Sequence, residues 1–188
     1  KNDALMENKI ILKTENLSIG YTNPKQVNCI AADIHLTLKK GKLIALIGAN
    51  GIGKSTLLRT ITGIQKPLLG DLFLNEKPLN QIEPLALAQQ MSLVLTEKLP
   101  PSNLTVYELI ALGRQPYTNW IGKLSETDKQ KINEAIALTQ VNDLLDKKHY
   151  EISDGQLQIV LIARALAQDT DLIILDEPTT HLDLMHKV

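Results

Sequence analysis

The run Gly48-Ala49-Asn50-Gly51-Ile52-Gly53-Lys54-Ser55-Thr56 satisfies G-x-x-x-x-G-K-[ST]. Glycines at those spacings permit backbone conformations closed to other residues, so successive N–H groups can turn inward on phosphate oxygens. A helix starting near Lys54 would add its partial positive charge at the same place. The Lys54 ammonium is then expected to reach the β- and γ-phosphates of a nucleotide, and the Ser55 hydroxyl to coordinate magnesium. On average composition, a chance match in a chain of this length has a probability of about 0.01. Further along, Leu172-Ile173-Ile174-Leu175-Asp176-Glu177 is an apolar run closed by two carboxylates. At the C-terminal edge of a parallel sheet, Asp176 would hold magnesium, directly or through water. Glu177 would orient or polarise the water that attacks a γ-phosphate. In isolation the pair suits equally well a strand that ends in solvated acids.

These residues need strands and helices to place them. Segments 14–19 and 34–38 read as strands, the second with Ile34, Leu36 and Leu38 alternating as in a half-buried sheet. Residues 39–42 turn into Leu43-Ile44-Ala45-Leu46-Ile47, apolar on both faces like a central parallel strand covered by helices. A helix is expected over 54–62, ended by Gly63. A short strand is expected at 71–74, a helix from Pro84 to Gln90 and a buried strand at 91–95. Residues 97–150 lack strand-like runs and read as a mostly helical insertion. Within it Ser125 and Asp128 form a capping-box start, with Asp in place of the usual Glu or Gln. Ile132, Ala135, Ile136 and Thr139 then share one helix face. Residues 157–167 are helical, and 172–175 form the last strand.

Composition narrows the function classes. The 188 residues are 44% hydrophobic with a formal net charge of −1. One well-packed domain fits that length and apolar content. The charge balance and the few aromatics (Tyr21, Phe73, Tyr107, Tyr117, Trp120, Tyr150) speak against a nucleic-acid binder. The lone cysteine, Cys29, cannot form an internal disulfide and points to a reducing compartment. No apolar run reaches the roughly 18 residues of a membrane span, and the N-terminus does not read as a secretory signal.

The phosphate loop, Ile152-Ser153-Asp154-Gly155-Gln156, the strand 172–177 and Pro178-Thr179-Thr180-His181-Leu182-Asp183 together resemble the ATP-binding domain of ABC transporters over nearly the whole chain. The resemblance implies an α/β fold: a P-loop NTPase core with a mostly parallel sheet, an N-terminal antiparallel β subdomain and an inserted helical subdomain. The expected division is a core over 14–96 and 151–188 and a helical subdomain over 97–150, in a single domain, 1–188, incomplete at its C-terminus. It also implies ATP and Mg2+ as ligands, with Gly48, Ala49, Asn50, Gly51, Ile52, Gly53, Lys54, Ser55 and Thr56 around the phosphates. Tyr21 matches the family's adenine-stacking aromatic; without the other motifs it reads as a Tyr covering a sheet edge. In that family two domains pair head to tail around two ATPs. Ser153, Asp154, Gly155 and Gln156 match the signature that meets the partner's nucleotide, and Asp183 the acidic residue of the D-loop.

The sequence shows three departures from the family pattern. Thr96 stands where a Gln normally touches magnesium. Asp154 replaces a signature glycine and brings a carboxylate near a triphosphate. The family's γ-phosphate histidine would lie beyond Val188, and His181 is not its equivalent. Cys29 is expected to be a small buried hydrophobe, His35 a solvent-facing side chain, and His149 and His186 not metal ligands. Trp120 suits either a cap on the helical insertion or contact with a partner helix.

Residues 103–120 resemble the subfamily serving iron-chelate, haem and cobalamin importers. The implied role is an ATPase that powers such an importer from the cytoplasmic side of the inner membrane, as a peripheral subunit. Its implied partners are a second ATP-binding domain, integral membrane permease subunits and, indirectly, a substrate-binding protein. Alternatives are a soluble non-transport ABC ATPase and a nucleotide-binding regulatory module with weak turnover.

Overall fold

Strand β1 (Ile10–Asn23) is the spine of the first half of the chain. Its residues are buried on both faces, with Ile11, Leu12, Thr14, Leu17, Ser18 and Ile19 all inside. β-Branched and leucine side chains suit that position, and partners cover both edges. The computed structural model describes residues 9–24, 26–95, 102–119 and 122–176. The chain divides into two compact units, 1–84 and 85–188.

In the first unit β1 pairs antiparallel with β2 (Gln26–Ile34), β3 (Thr37–Lys39) and β4 (Leu69–Leu74), and β4 with β5 (Lys77–Pro78). This is the expected antiparallel β region, with β1 and β4 longer than their sequence patterns suggest. The expected single strand over 34–38 is split. Asp33 takes φ 55°, and the Thr14 hydroxyl donates to Ile34 O and accepts from Leu36 N, both at 2.8 Å. One buried threonine thus replaces a step of the ladder, while Ile34, Leu36 and Leu38 keep their alternating half-burial. Helix α1 (Lys54–Ile61) packs Leu57 and Ile61 inward and ends at Thr62, followed by Gly63 at φ 77°.

The segment 43–47 corrects the sequence reading. It forms no strand; Leu43 is fully exposed and Ile47 is 89% exposed. A central parallel strand requires hydrogen-bonding neighbours along its edges. Among the described residues no ladder includes this segment. Cys29 is also corrected: it lies exposed on β2, with its Sγ 3.6 Å from Ala31 O. His35 is solvent-facing as expected and pairs with Asp33 at 2.9 Å.

In the second unit β6 (Met91–Val94) and β7 (Leu172–Leu175) pair in parallel, and α2 (Pro84–Ala88) precedes β6. Between them lie α3 (Val106–Ala111), a 3-10 stretch (Leu112–Tyr117), α4 (Glu126–Thr139) and α5 (Asp154–Ala167). The described part of 97–150 is mostly helical, with irregular segments at 102–104 and 122–125 and an isolated antiparallel bridge between Thr105 and Lys148. The core of this unit joins Val106, Leu109, Ile110, Ile132, Ile136, Val160 and Leu161. Ser125 caps α4 through a capping box with Asp128. Among the described residues no helix is long and apolar enough to cross a membrane.

Candidate functional site

Gly53 opens α1 at φ 106°, and a Cβ there would lie 2.4 Å from Ile30 Cγ2. Backbone strain and lack of space both require glycine. Gly53 supplies no capping side chain, and the first turn of α1 holds no acidic residue. The positive end of the helix dipole therefore faces the loop undiminished by a local carboxylate. Gly51 also has positive φ, at 78°, and residues 48–52 are exposed.

The Lys54 ammonium folds back over this loop and donates to Gly48 O and Ala49 O, each at 2.9 Å. It is held by neutral carbonyls, and phosphate oxygens in their place would give stronger, charge-assisted bonds. Thr56 is buried, and its Oγ1 lies 3.0 Å from the Tyr21 hydroxyl. The structure thus brings Tyr21 on β1 to the first turn of α1. Tyr21 is held there from behind: Gln65 donates to Gly20 O, and a Cβ on Gly20 would lie 2.0 Å from Asn28 O. The Tyr21 side chain remains half-exposed.

The other site residues lie in the second unit. Asp176 follows β7 directly, is 8% exposed, and its amide donates to Val94 O at 2.9 Å. Hydroxyl and carboxylate oxygens such as those of Ser55 and Asp176 are hard donors of the kind that suits magnesium. Ser153 caps α5: its hydroxyl accepts from Gln156 N at 3.2 Å, and the Gln156 side chain accepts from Ser153 N at 3.0 Å. Asp154 occupies the first helical turn, exposed, where the dipole favours a carboxylate. Gly155 follows, half-buried. Thr96, Glu177, Asp183, Trp120, His181 and His186 lie outside the described residues. His149 is buried, and its Nε2 accepts from Ser102 N at 3.2 Å.

Sequence reasoning missed the charged pair Arg114 and Asp128. Arg114 Nε donates to Asp128 Oδ1 at 2.8 Å with both side chains 5% exposed. The signal for it was already present in the Asp of the α4 capping box. The shorter acid accepts from the Ser125 amide and hydroxyl with one oxygen and meets Arg114 with the other. Burial alone would raise the Asp128 carboxyl, but the bonds from Ser125 and Arg114 outweigh it and hold it below the usual carboxylate range.

The sequence model of ABC transporters matches residues 31–180. An uncharacterised ABC transporter ATP-binding protein of Methanocaldococcus jannaschii is 45% identical over 178 residues, covering 95% of this chain and 60% of that protein. The iron(3+)-hydroxamate import ATP-binding protein of Bacillus subtilis is 39% identical over 177 residues, covering 94% of this chain and 64% of its own. Among solved structures, a dimeric ATP-binding cassette in a post-hydrolysis state, bound to ADP and Pi, matches with a TM-score of 0.77. That match has 26% identity and covers 93% of this chain and 77% of the other. The chain thus spans less than two thirds of the length of these curated relatives. The matched residues run from β2 through the phosphate loop and α5 to beyond Asp176, and on that ground the chain belongs to the ABC transporter family, among its ATP-binding proteins.

Proposed function

We propose that this chain is the nucleotide-binding part of a subunit that hydrolyses ATP to power an importer of iron-chelate, haem or cobalamin-type substrates. The observation that carries this reading is the loop 48–53 leading into α1, with Lys54 poised over it and Tyr21 beside its first turn. Loop amides and Lys54 bind the phosphates, and Tyr21 offers a half-exposed ring to the base. Ser55 would offer a hydroxyl and Asp176 a carboxylate to Mg2+, whose charge would help neutralise the phosphates. Glu177 orients or polarises the attacking water. The capped start of α5 presents Ser153, Gly155 and Gln156 to the nucleotide of a second copy. Resemblance to importer ATPases, one of them an iron(3+)-hydroxamate import protein, supports the substrate class and permease subunits as partners.

In the full-length protein Glu177→Gln keeps the shape of the side chain but removes its charge. ATP hydrolysis should fall steeply while ATP affinity persists, and a closed dimer should accumulate. Turnover, equilibrium binding and sedimentation of the two proteins test this. Loss of ATP affinity in the variant would make Glu177 a binding residue and overturn the mechanism.

A further inference from the structure

Helix α5 has 14 residues, so it is about 21 Å long. Ser153 caps one end, and the other is held by a buried cation. Arg114 Nη1 donates to Ala167 O at 2.9 Å and to Gln168 O at 3.4 Å, while its Nε bonds Asp128. The Tyr117 ring covers the guanidinium, with Cζ 3.9 Å from the ring centroid, and the Tyr117 hydroxyl donates to Gln89 O at 3.2 Å. One residue earlier, a Cβ on Gly113 would lie 2.3 Å from Arg164 O, so the 3-10 stretch approaches the last turn of α5 with no side chain between.

The charges are placed with the correct signs. Arg114 sits at the carbonyl end of α5, where the dipole favours a cation. Asp128 sits in the first turn of α4, where it favours an anion. A single buried ion pair therefore ties the start of one helix to the end of the other. The planar guanidinium uses two nitrogens in fixed directions, which a lysine cannot reproduce. Val160 and Leu161 seat the middle of α5 in the core and Arg114 fixes its last turn; a tilt of about 5° over its length moves the Ser153 end by about 2 Å.

We infer that Arg114, with Asp128 as its anchor, is a positioning residue that sets through α5 where Ser153–Gln156 meet the partner's nucleotide. This rests on the proposed role of those residues. It touches no nucleotide itself, so it should act on turnover and leave the phosphate-loop affinity alone.

The test uses the full-length protein in a Cys29→Ser background, with nitroxides at Asp154→Cys and Asn133→Cys, which leave the Ser153–Gln156 cap intact, to report the α5–α4 distance by pulsed EPR. Arg114→Gln should broaden or shift that distance by about 2 Å, and Arg114→Lys should restore it only in part. In unlabelled protein, kcat should fall at least about tenfold, since ångström-scale misplacement costs up to roughly 10²-fold. MgATP affinity should stay within about twofold of wild type. An unchanged distance in folded Arg114→Gln would overturn the inference, as would equal losses in kcat and affinity. Should Arg114→Gln fail to fold, Arg114→Lys carries both comparisons. A shifted distance in a protein whose wild type neither hydrolyses ATP nor dimerises would uphold the positioning and refute the transporter ATPase. Normal wild-type turnover with an unmoved α5 would refute the positioning alone.

Discussion

Residues 43–53 and residues 112–128 both carry parts essential to the account, yet they are built in opposite ways. The first stretch turns its side chains to solvent, from fully exposed Leu43 to Ile52 at 62%, and its proposed chemistry falls to backbone amides and to Lys54, which follows it and bonds back to Gly48 O and Ala49 O. The second hides Arg114 and Asp128 at 4% and 3% exposure and uses them to hold helices. A loop that grips an anion with its backbone needs glycine freedom and open access more than packing. A lever that sets a distant contact needs a fixed end, and a hydrogen-bonded buried ion pair supplies one.

The largest effect should come from breaking the fixed end. Asp128→Ala leaves the Arg114 charge buried without its carboxylate, so the second unit should lose about 3–5 kcal/mol in urea unfolding. A loss under about 1 kcal/mol would put this region on a par with the exposed loop. A smaller effect depends on pH. The Asp128 carboxyl is held below its ordinary value in the folded protein. Its contribution is therefore complete above the unfolded value of about 3.9 and is lost as pH falls through the lower folded value. The stability gap between wild type and Asp128→Asn should accordingly narrow on acidification below about pH 4; a gap that stays constant would refute this. The smallest effect belongs to the loop side. Ile47→Ser in the 188-residue chain should change stability by no more than about 0.5 kcal/mol, because Ile47 is already in solvent. A loss above about 2 kcal/mol would show 43–47 buried and dissolve the contrast.

The two regions also differ in how far they could be read from sequence. The loop 48–53 is legible because Gly53 and Lys54 do local jobs: one opens α1 at positive φ, the other reaches back over carbonyls five and six residues away. Helix α4 is legible from its apolar face and its Ser125–Asp128 cap, and β6 and β7 from short apolar runs; the expected helix 157–167 misses the first turn of α5, which starts at Asp154 behind the Ser153 cap. The segment 43–47 carries the same apolar signal but forms no ladder among the described residues, since hydrophobicity alone does not specify a pairing partner. The split at His35–Leu36 depends on Thr14, some twenty residues away. Arg114 is opaque for the same reason, the Asp of the α4 capping box marking only one end of its contacts: its partners are Asp128, 14 residues on, and Ala167, 53 residues on. Such contacts are tertiary and leave no periodic trace.

Lys54 is the side chain through which the loop 48–56 should bind nucleotide. Calorimetric titration of MgATP into the full-length protein and its Lys54→Ala variant, both checked for folding by circular dichroism, addresses this directly. Removing a charge-assisted phosphate contact should weaken binding by about 1.5–3 kcal/mol, roughly 10- to 150-fold. Equal affinity in the two proteins would contradict the account.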